Sequence, residues 1–365
     1  MHFLILSGAN ERAIVAACRD LLESGIGFSI IARPGRDPIV GSFLAPYIQA
    51  QRSWDQLDID DLVATLLTFR HRLPERLIYL PASEALNRLV LENRQRLETE
   101  CRLEISLPAL ETYRTLSDKS RFNALAETFG LELPPREPAP RTAPLPLVAK
   151  PHAEFSRSGG AKLYPALLFE ESQRQQFFTE TDEGDYFFQR YIDGQSHYYL
   201  FFFGRDGQAV SLFQENIAQQ PNGKSIVAAQ TCPCPSEDFL EKISACIRST
   251  GFFGFCMVEA ITRDGKSYLI ELNPRLWGPL SLAIHAGFRM HWLGAPESAA
   301  QPAAQSEPAR YAWLSGMVRT RLDGGRLRWY PGKRRQFLQQ FLAFLRSDIY
   351  LQRINTLEMA ARELL

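Results

Sequence analysis

Near its start the chain carries four apolar residues in a row, Phe3-Leu4-Ile5-Leu6, before the polar Asn10-Glu11-Arg12. A run without a polar face predicts a strand buried on both sides. Ile14, Val15, Cys18, Leu21 and Leu22 then recur at helical spacing, predicting a helix from about Glu11 to Ser24 with Gly25 as its stop. Phe28–Ala32 reads as a second strand, about Asp60–Phe69 as a helix, Leu77–Leu80 as a strand and the stretch from Ser83 as a helix. Strands alternating with helices imply a parallel sheet with helices on its faces. The stripe Phe122, Leu125, Ala126, Phe129 predicts a further helix, capped by Ser117 and ended by Gly130.

Between Pro134 and Pro146, six of thirteen residues are proline, which excludes helix and central strand and predicts an extended connector into a new unit. From Leu147 strand-like runs dominate: Leu147–Lys150, Tyr186–Tyr191, Tyr198–Phe203, Ala209–Phe213, Gly254–Ile261 and Ser267–Leu272. Helices are expected at about Leu168–Phe178 and Ser236–Thr250. The turns Arg205-Asp206-Gly207 and Arg263-Asp264-Gly265 predict antiparallel hairpins. Beyond Gly287 the pattern weakens, with a surface loop expected at 295–309 and a helical tail from about Gln336.

With 365 residues, two or three subdomains sharing buried surfaces are expected. Lys plus Arg and Asp plus Glu stand at 41 each, so a neutral chain argues against a general binder of nucleic acid or anionic membranes. The apolar N-terminal run is too short for a signal peptide, and no run approaches the length that spans a bilayer. A cytoplasmic protein is expected. Of the six cysteines only Cys232 and Cys234 are close in sequence, without a second Cys or His pair at zinc spacing, so reduced thiols are expected.

Two phosphate-loop endings, Gly223-Lys224-Ser225 and Gly265-Lys266-Ser267, lack the required earlier glycine, with Ala218 and Ala260 standing in its place. No G-x-G-x-x-G follows the first strand. More informative is Val258-Glu259-Ala260-Ile261 through Tyr268-Leu269-Ile270-Glu271-Leu272-Asn273-Pro274-Arg275. Glu271 and Asn273, two apart on a strand, share a face. Mg²⁺ takes oxygen ligands, commonly one or two carboxylates with substrate phosphates. Glu259, Glu271 and Asn273 fit that need, with Arg275 beside the reacting centre. The alternative is a solvated hairpin with its acids in water, against which stands the need to bury Ile270 and Leu272. Strand parity sets a condition on the metal reading. A plain two-residue Asp264-Gly265 turn places Glu259 opposite Ile270 and turns Glu271 away. The two acids share a face only with an odd-length loop or one β-bulge, with Gly265 at positive φ.

The stretch Gly254 to Gly278, in its G-x-x-x-x-E and E-x-N-P-R form, resembles the metal-binding core of the ATP-grasp superfamily. The tail Asn273-Pro274-Arg275-Leu276-Trp277-Gly278 is similar to its carboxylate–amine ligases. By that resemblance Glu259, Glu271 and Asn273 hold Mg²⁺ (or Mn²⁺), and Arg275 stabilises an acyl phosphate and tetrahedral intermediate. Asp118-Lys119 resembles the start of the ATP-grasp domain, with Lys119 reaching a phosphate. Lys150 in Val148-Ala149-Lys150-Pro151 resembles the strand lysine on the α- and β-phosphates. Ser156-Arg157-Ser158-Gly159-Gly160 resembles the small-residue loop over the triphosphate, and Gln189, Arg190, Tyr191 and Ile192 resemble the hinge that lines adenine. Gln195-Ser196-His197 departs from the acid that several such ligases use on ribose, and Asp193 is the nearby substitute. Around Ile217–Lys224, where related ligases carry basic substrate contacts, only Lys224 is charged.

The resemblance spans about residues 3 to 290. It implies an ATP-grasp fold, α/β plus α+β, with a Rossmann-like pre-ATP-grasp domain at 1–112, a lid subdomain at 113–192 and a C-terminal subdomain at 193–365. The implied activity is ATP-dependent joining of a small-molecule carboxylate to an amine, releasing ADP and phosphate, without nucleic acid or membrane and compatible with a homodimer. A carboxylase of the same fold and a catalytically inactive nucleotide-binding regulator are the alternatives.

Overall fold

A computed structural model describes residues 1–8, 10–35, 37–53, 56–152, 156–158, 163–303, 306–353 and 356–364. Phe3 and Ile5 point into one apolar cluster and Leu4 and Leu6 into another, so both faces of the first strand are covered. That strand, β1 (His2–Leu6), lies at the centre of a five-stranded sheet with β2 (Gly27–Ala32), β3 (Ile48–Gln51), β4 (Leu77–Leu80) and β5 (Leu103–Glu104), in the order β3-β2-β1-β4-β5. Every pairing in it is parallel, as the strand–helix alternation requires. Helix α1 (Glu11–Glu23) covers one face, while α2 (Ile59–Arg70), α3 (Glu84–Glu92) and α4 (Arg94–Glu100) supply the cluster on the other.

Two helices follow, α5 (Leu110–Ser117) and α6 (Lys119–Thr128), where one was expected. Ser117 ends α5, and the cap of α6 is Asp118, whose carboxylate accepts the Arg121 N–H at 2.9 Å. Ser117 is still helical, whereas Asp118 has the extended backbone of a cap position and its carboxylate meets the orphan amides, so the expected Ser117 cap is corrected by one residue. The proline-rich connector then runs beside a three-stranded sheet of β6 (Leu147–Pro151), β7 (Ala166–Leu168) and β8 (Tyr186–Arg190), ordered β7-β6-β8. Leu147, Ala149 and Phe188 bury one face of this sheet against Phe177 of α7 (Glu171–Glu180). Lys150 and Gln189 belong to the opposite face.

The third sheet is antiparallel: β9 (Gln195–Phe203), β10 (Ala209–Gln219), β11 (Ile226–Thr231), β12 (Gly254–Arg263), β13 (Lys266–Asn273) and β14 (Arg310–Ala312), ordered β13-β12-β9-β10-β11-β14. The two-residue β15 (Arg328–Trp329) pairs with the end of β10. Tyr199, Phe201, Phe203, Cys256 and Val258 pack on α6 and on α8 (Glu237–Ser249), whose Ser236 cap accepts the Phe239 amide. Leu200, Phe202, Phe255 and Met257 on the other face join the cluster of α1 and α9 (Leu280–His285). That contact seats the parallel-sheet unit beside the acids of β12 and β13. The weak pattern after Gly287 conceals α10 (Leu314–Leu322), while α11 (Lys333–Gln339), α12 (Phe341–Arg346) and α13 (Leu357–Leu364) form the expected helical tail. The cysteines are unpaired thiols, four of them buried. Among the described residues no helix is long and apolar enough to cross a membrane.

Candidate functional site

The hairpin β12–β13 turns through Asp264 and Gly265, both at positive φ (50° and 76°), the left-handed pair that a two-residue hairpin turn demands. From that turn the register runs Arg263↔Lys266 to Ala260↔Leu269, then shifts, so that Glu259 pairs with Glu271 and Met257 with Asn273. Ile270 is the extra residue. The parity condition is met by a bulge rather than by an odd loop, and the two acids lie opposite one another on one face. A bulge frees the peptide groups of the extra residue, and the Lys150 ammonium takes up the Ile270 carbonyl at 3.1 Å. This bond ties the three-stranded sheet to the acid-bearing hairpin.

Burial, and next the Glu271 carboxylate, push the Glu259 carboxyl up to about 7, against the Ser196 hydroxyl and the charges of Lys150 and Arg328. Ser196 Oγ donates to Glu259 at 2.8 Å, Asn216 Nδ2 donates to Ser196 Oγ at 2.7 Å, and Gln214 Nε2 to Asn216 Oδ1 at 2.7 Å. All three supporting side chains are buried, so Glu259 is held in a fixed place. On the neighbouring strand Asn273 Nδ2 donates to Glu271 Oε1 at 2.7 Å, and Arg275 reaches Asn273 Oδ1 at 3.1 Å. Burial, and next the Lys119 charge, lower the Lys150 ammonium to about 8, with Glu271 and Glu259 opposing. Lys119, at the first turn of α6, is thus close enough for its charge to act on Lys150.

The hinge residues divide. Gln189 is buried, shares the sheet face of Lys150 and donates to the Pro134 carbonyl at 3.2 Å, leaving its Oε1 without a partner among the described residues. Arg190 pairs with Leu147 on the opposite face; its amide goes to the Pro135 carbonyl and its guanidinium lies 3.6 Å from Glu137. Tyr191 N–H donates to the Pro146 carbonyl, and Ile192 is buried. Ser156 and Ser158 lie with their hydroxyls 3.3 Å apart, and Arg157 between them bonds the buried Asp185. Gly159 and Gly160 lie outside the described residues.

Three residues at this site escape a reading of the sequence. Ser196 stands where an acid for ribose was sought and instead supports Glu259. Arg328 on β15 lies over the rings of Tyr191 and Tyr330, 5.0 and 4.8 Å from their centroids, and its charge reaches Glu259. Tyr198, opposite Glu259 on β9, has its hydroxyl pKa raised by burial and by both acids. Only strand pairing, invisible along the chain, brings these groups together.

Residues 116–279 match the family described as the ATP-grasp domain. No curated protein sequence matches the chain significantly. Among solved structures, an N5-carboxyaminoimidazole synthetase from Staphylococcus aureus, complexed with ADP, superposes with a TM-score of 0.62 at 14% identity, covering 94% of this chain and 96% of that one. A biotin carboxylase from Campylobacter jejuni gives 0.59 at 15% identity over 82% of this chain and 72% of its own. An L-amino acid ligase from Bacillus licheniformis gives 0.55 at 14% identity over 78% and 69%. At these identities the superpositions show a shared fold. The family match places an ATP-grasp domain at residues 116–279, and the superpositions show that the chain shares the fold of these proteins.

Proposed function

We propose that the protein is an ATP-dependent ligase that activates a small-molecule carboxylate as an acyl phosphate and joins it to an amine. The observation that carries this reading is the opposition of Glu259 and Glu271 on the face that Lys150 reaches from the lid. Among the described residues no group of three or more His, Cys, Asp or Glu could hold an ion alone. Two carboxylates and an amide suit Mg²⁺ completed by phosphate oxygens, the usual way this hard cation is held beside a nucleotide. Glu259, Glu271 and Asn273 would hold it, and bound there it would offset charge on the triphosphate.

Lys119 and Lys150 would meet the phosphates, and Gln189 Oε1, an orphaned buried acceptor, suits an amino group such as that of adenine. In the first step a carboxylate oxygen attacks the γ-phosphorus and the bond to ADP breaks. In the second, an amine nitrogen attacks the acyl carbon, loses a proton, and phosphate leaves. Arg275, steadied by its bonds to Asn273 and to the Leu276 carbonyl, would stabilise the charge on the reacting acyl group. The parallel-sheet unit, packed on the same sheet face as the acids, would supply the wall of the substrate cleft.

The test is ADP and phosphate release over a panel of carboxylates and amines, with mass spectrometry of the product. Release that needs both an acid and an amine, with formation of the amide, is expected. Release that follows bicarbonate alone would favour a carboxylase, and no release with any pair would favour an inactive regulator.

A further inference from the structure

The neutral total charge hides a local imbalance. Between Arg310 and Arg346 the chain holds nine Lys and Arg residues and a single acid, Asp323. Among the described residues, Arg321, Arg326, Arg334, Arg335 and Arg346 make no ion pair, so this charge is not neutralised within the fold. Helices α11 and α12 turn Phe337 and Phe344 inward, their rings 4.9 Å apart, with Trp329 against Phe337 at 5.3 Å. Their outward residues do not follow the usual polar pattern. Leu338, Phe341 and Leu342 are 63, 42 and 67% exposed. These three are spaced i, i+3, i+4, with Arg334 and Arg335 one turn before and Arg346 one turn after.

Beside the stripe lies a groove of about 550 Å³, lined by Trp329, Tyr330, Gly332, Arg334, Arg335 and Leu338. Gly332, at φ 72°, makes the turn between β15 and α11 that opens it. We infer that this surface docks an acidic polypeptide segment bearing an apolar anchor side chain. The arginines supply complementary charge, the stripe supplies apolar contact, and the recess accepts a protruding side chain. A bilayer, being planar, would touch Leu338 and Leu342 but not enter the recess against Trp329. The groove borders the candidate site, because Tyr330 lies under Arg328 and its hydroxyl bonds Gln219 on β10. A docked chain would therefore lie near the mouth of the cleft. The inference does not depend on the ligase reading, since its measurement is binding.

The experiment pans a phage-displayed random dodecapeptide library on the full chain, then measures fluorescein-labelled copies of the selected peptides by anisotropy. Selected peptides are expected to be rich in Asp and Glu around a Leu, Phe or Trp, and to bind more weakly as salt rises. R334E/R335E and, separately, L338E/L342E should each weaken binding at least about tenfold. All four positions face solvent, and an unchanged melting temperature confirms that each variant folds. Selected peptides without acidic residues, or binding that survives both variants, would overturn the inference. So would capture of the wild type, but not R334E/R335E, by phosphatidylserine–phosphatidylcholine vesicles when no peptide shows that dependence; the partner would then be a membrane.

Discussion

Glu259 and Glu271 oppose each other across β12 and β13 because Ile270, between Leu269 and Glu271, takes no partner in the ladder. The same irregularity turns the Ile270 carbonyl toward Lys150. One extra residue thus sets both the facing acids and their link to the three-stranded sheet. β13 is the edge strand of its sheet, where a bulge disrupts pairing on one side only.

Removing either negative charge should stop turnover while leaving the fold intact. Glu259→Gln and Glu271→Gln keep the shape and lose the charge that would hold the ion, a loss of several kcal/mol of transition-state stabilisation. ADP release should fall about a thousandfold or more in each variant. Near-normal release in both would remove the metal assignment.

The raised Glu259 pKa makes a separate statement about stability. A carboxyl whose folded pKa lies above its unfolded value stabilises most when protonated, below the ordinary glutamate range, and this contribution is lost as pH rises through about 7. In chelator at pH 8 the wild type therefore carries a buried charge that Glu259→Gln lacks. The variant should be more stable there by on the order of 2–3 kcal/mol, with the gain shrinking toward pH 5. Melting curves at the two pH values check this, and a variant less stable than wild type at pH 8 would contradict it. Saturating Mg²⁺ should narrow the gap, since the ion binds the ionised pair.

Lys150→Ala and Lys119→Ala should each weaken ATP binding by about ten- to a hundredfold, the range for losing a hydrogen bond from a charged group. Calorimetry measures this directly. Lys119→Ala should also raise the Lys150 pKa, because the Lys119 charge is among the causes that lower it. Unchanged affinity in both variants would place the nucleotide elsewhere.

How much of this was legible along the chain depended on whether the signal was local. Runs such as Phe3–Leu6 and Leu77–Leu80 are apolar on both faces, and their strands fall where the pattern put them. Glu271 and Asn273 share a face by parity alone, and parity also demanded an irregularity in the hairpin. It could not say which residue would be extruded, because loop and bulge satisfy the same arithmetic. Ser196 and Arg328 were out of reach for another reason. Each acquires its meaning from a partner on a distant strand, and Arg328 arrives on a strand of only two residues within a basic stretch that offers many equivalent arginines. Of the helices after Gly287, those of the tail from about Gln336 were legible, whereas α10 was not, because it buries Ser315, Gly316 and Thr320 and leaves Val318 and Leu322 exposed, which erases the apolar stripe that marks a buried helix face.

The bulge itself can be tested by deleting Ile270. The two-residue turn would then run into an unbroken ladder, and removing one residue from β13 keeps Glu271 opposite Glu259 without any irregularity. What disappears is the freed carbonyl that holds the Lys150 ammonium. Metal affinity, which depends on the facing acids, should be retained. ATP affinity should fall by a factor close to that of Lys150→Ala, because the lysine is no longer steadied where the phosphates would lie. Combining the deletion with Lys150→Ala should add little, since both remove one interaction. Calorimetry of Mg²⁺ and ATP with the four proteins separates the two roles. If the deletion left ATP affinity at the wild-type level, the bulge would serve register alone and the Lys150–Ile270 bond would have no part in holding the nucleotide.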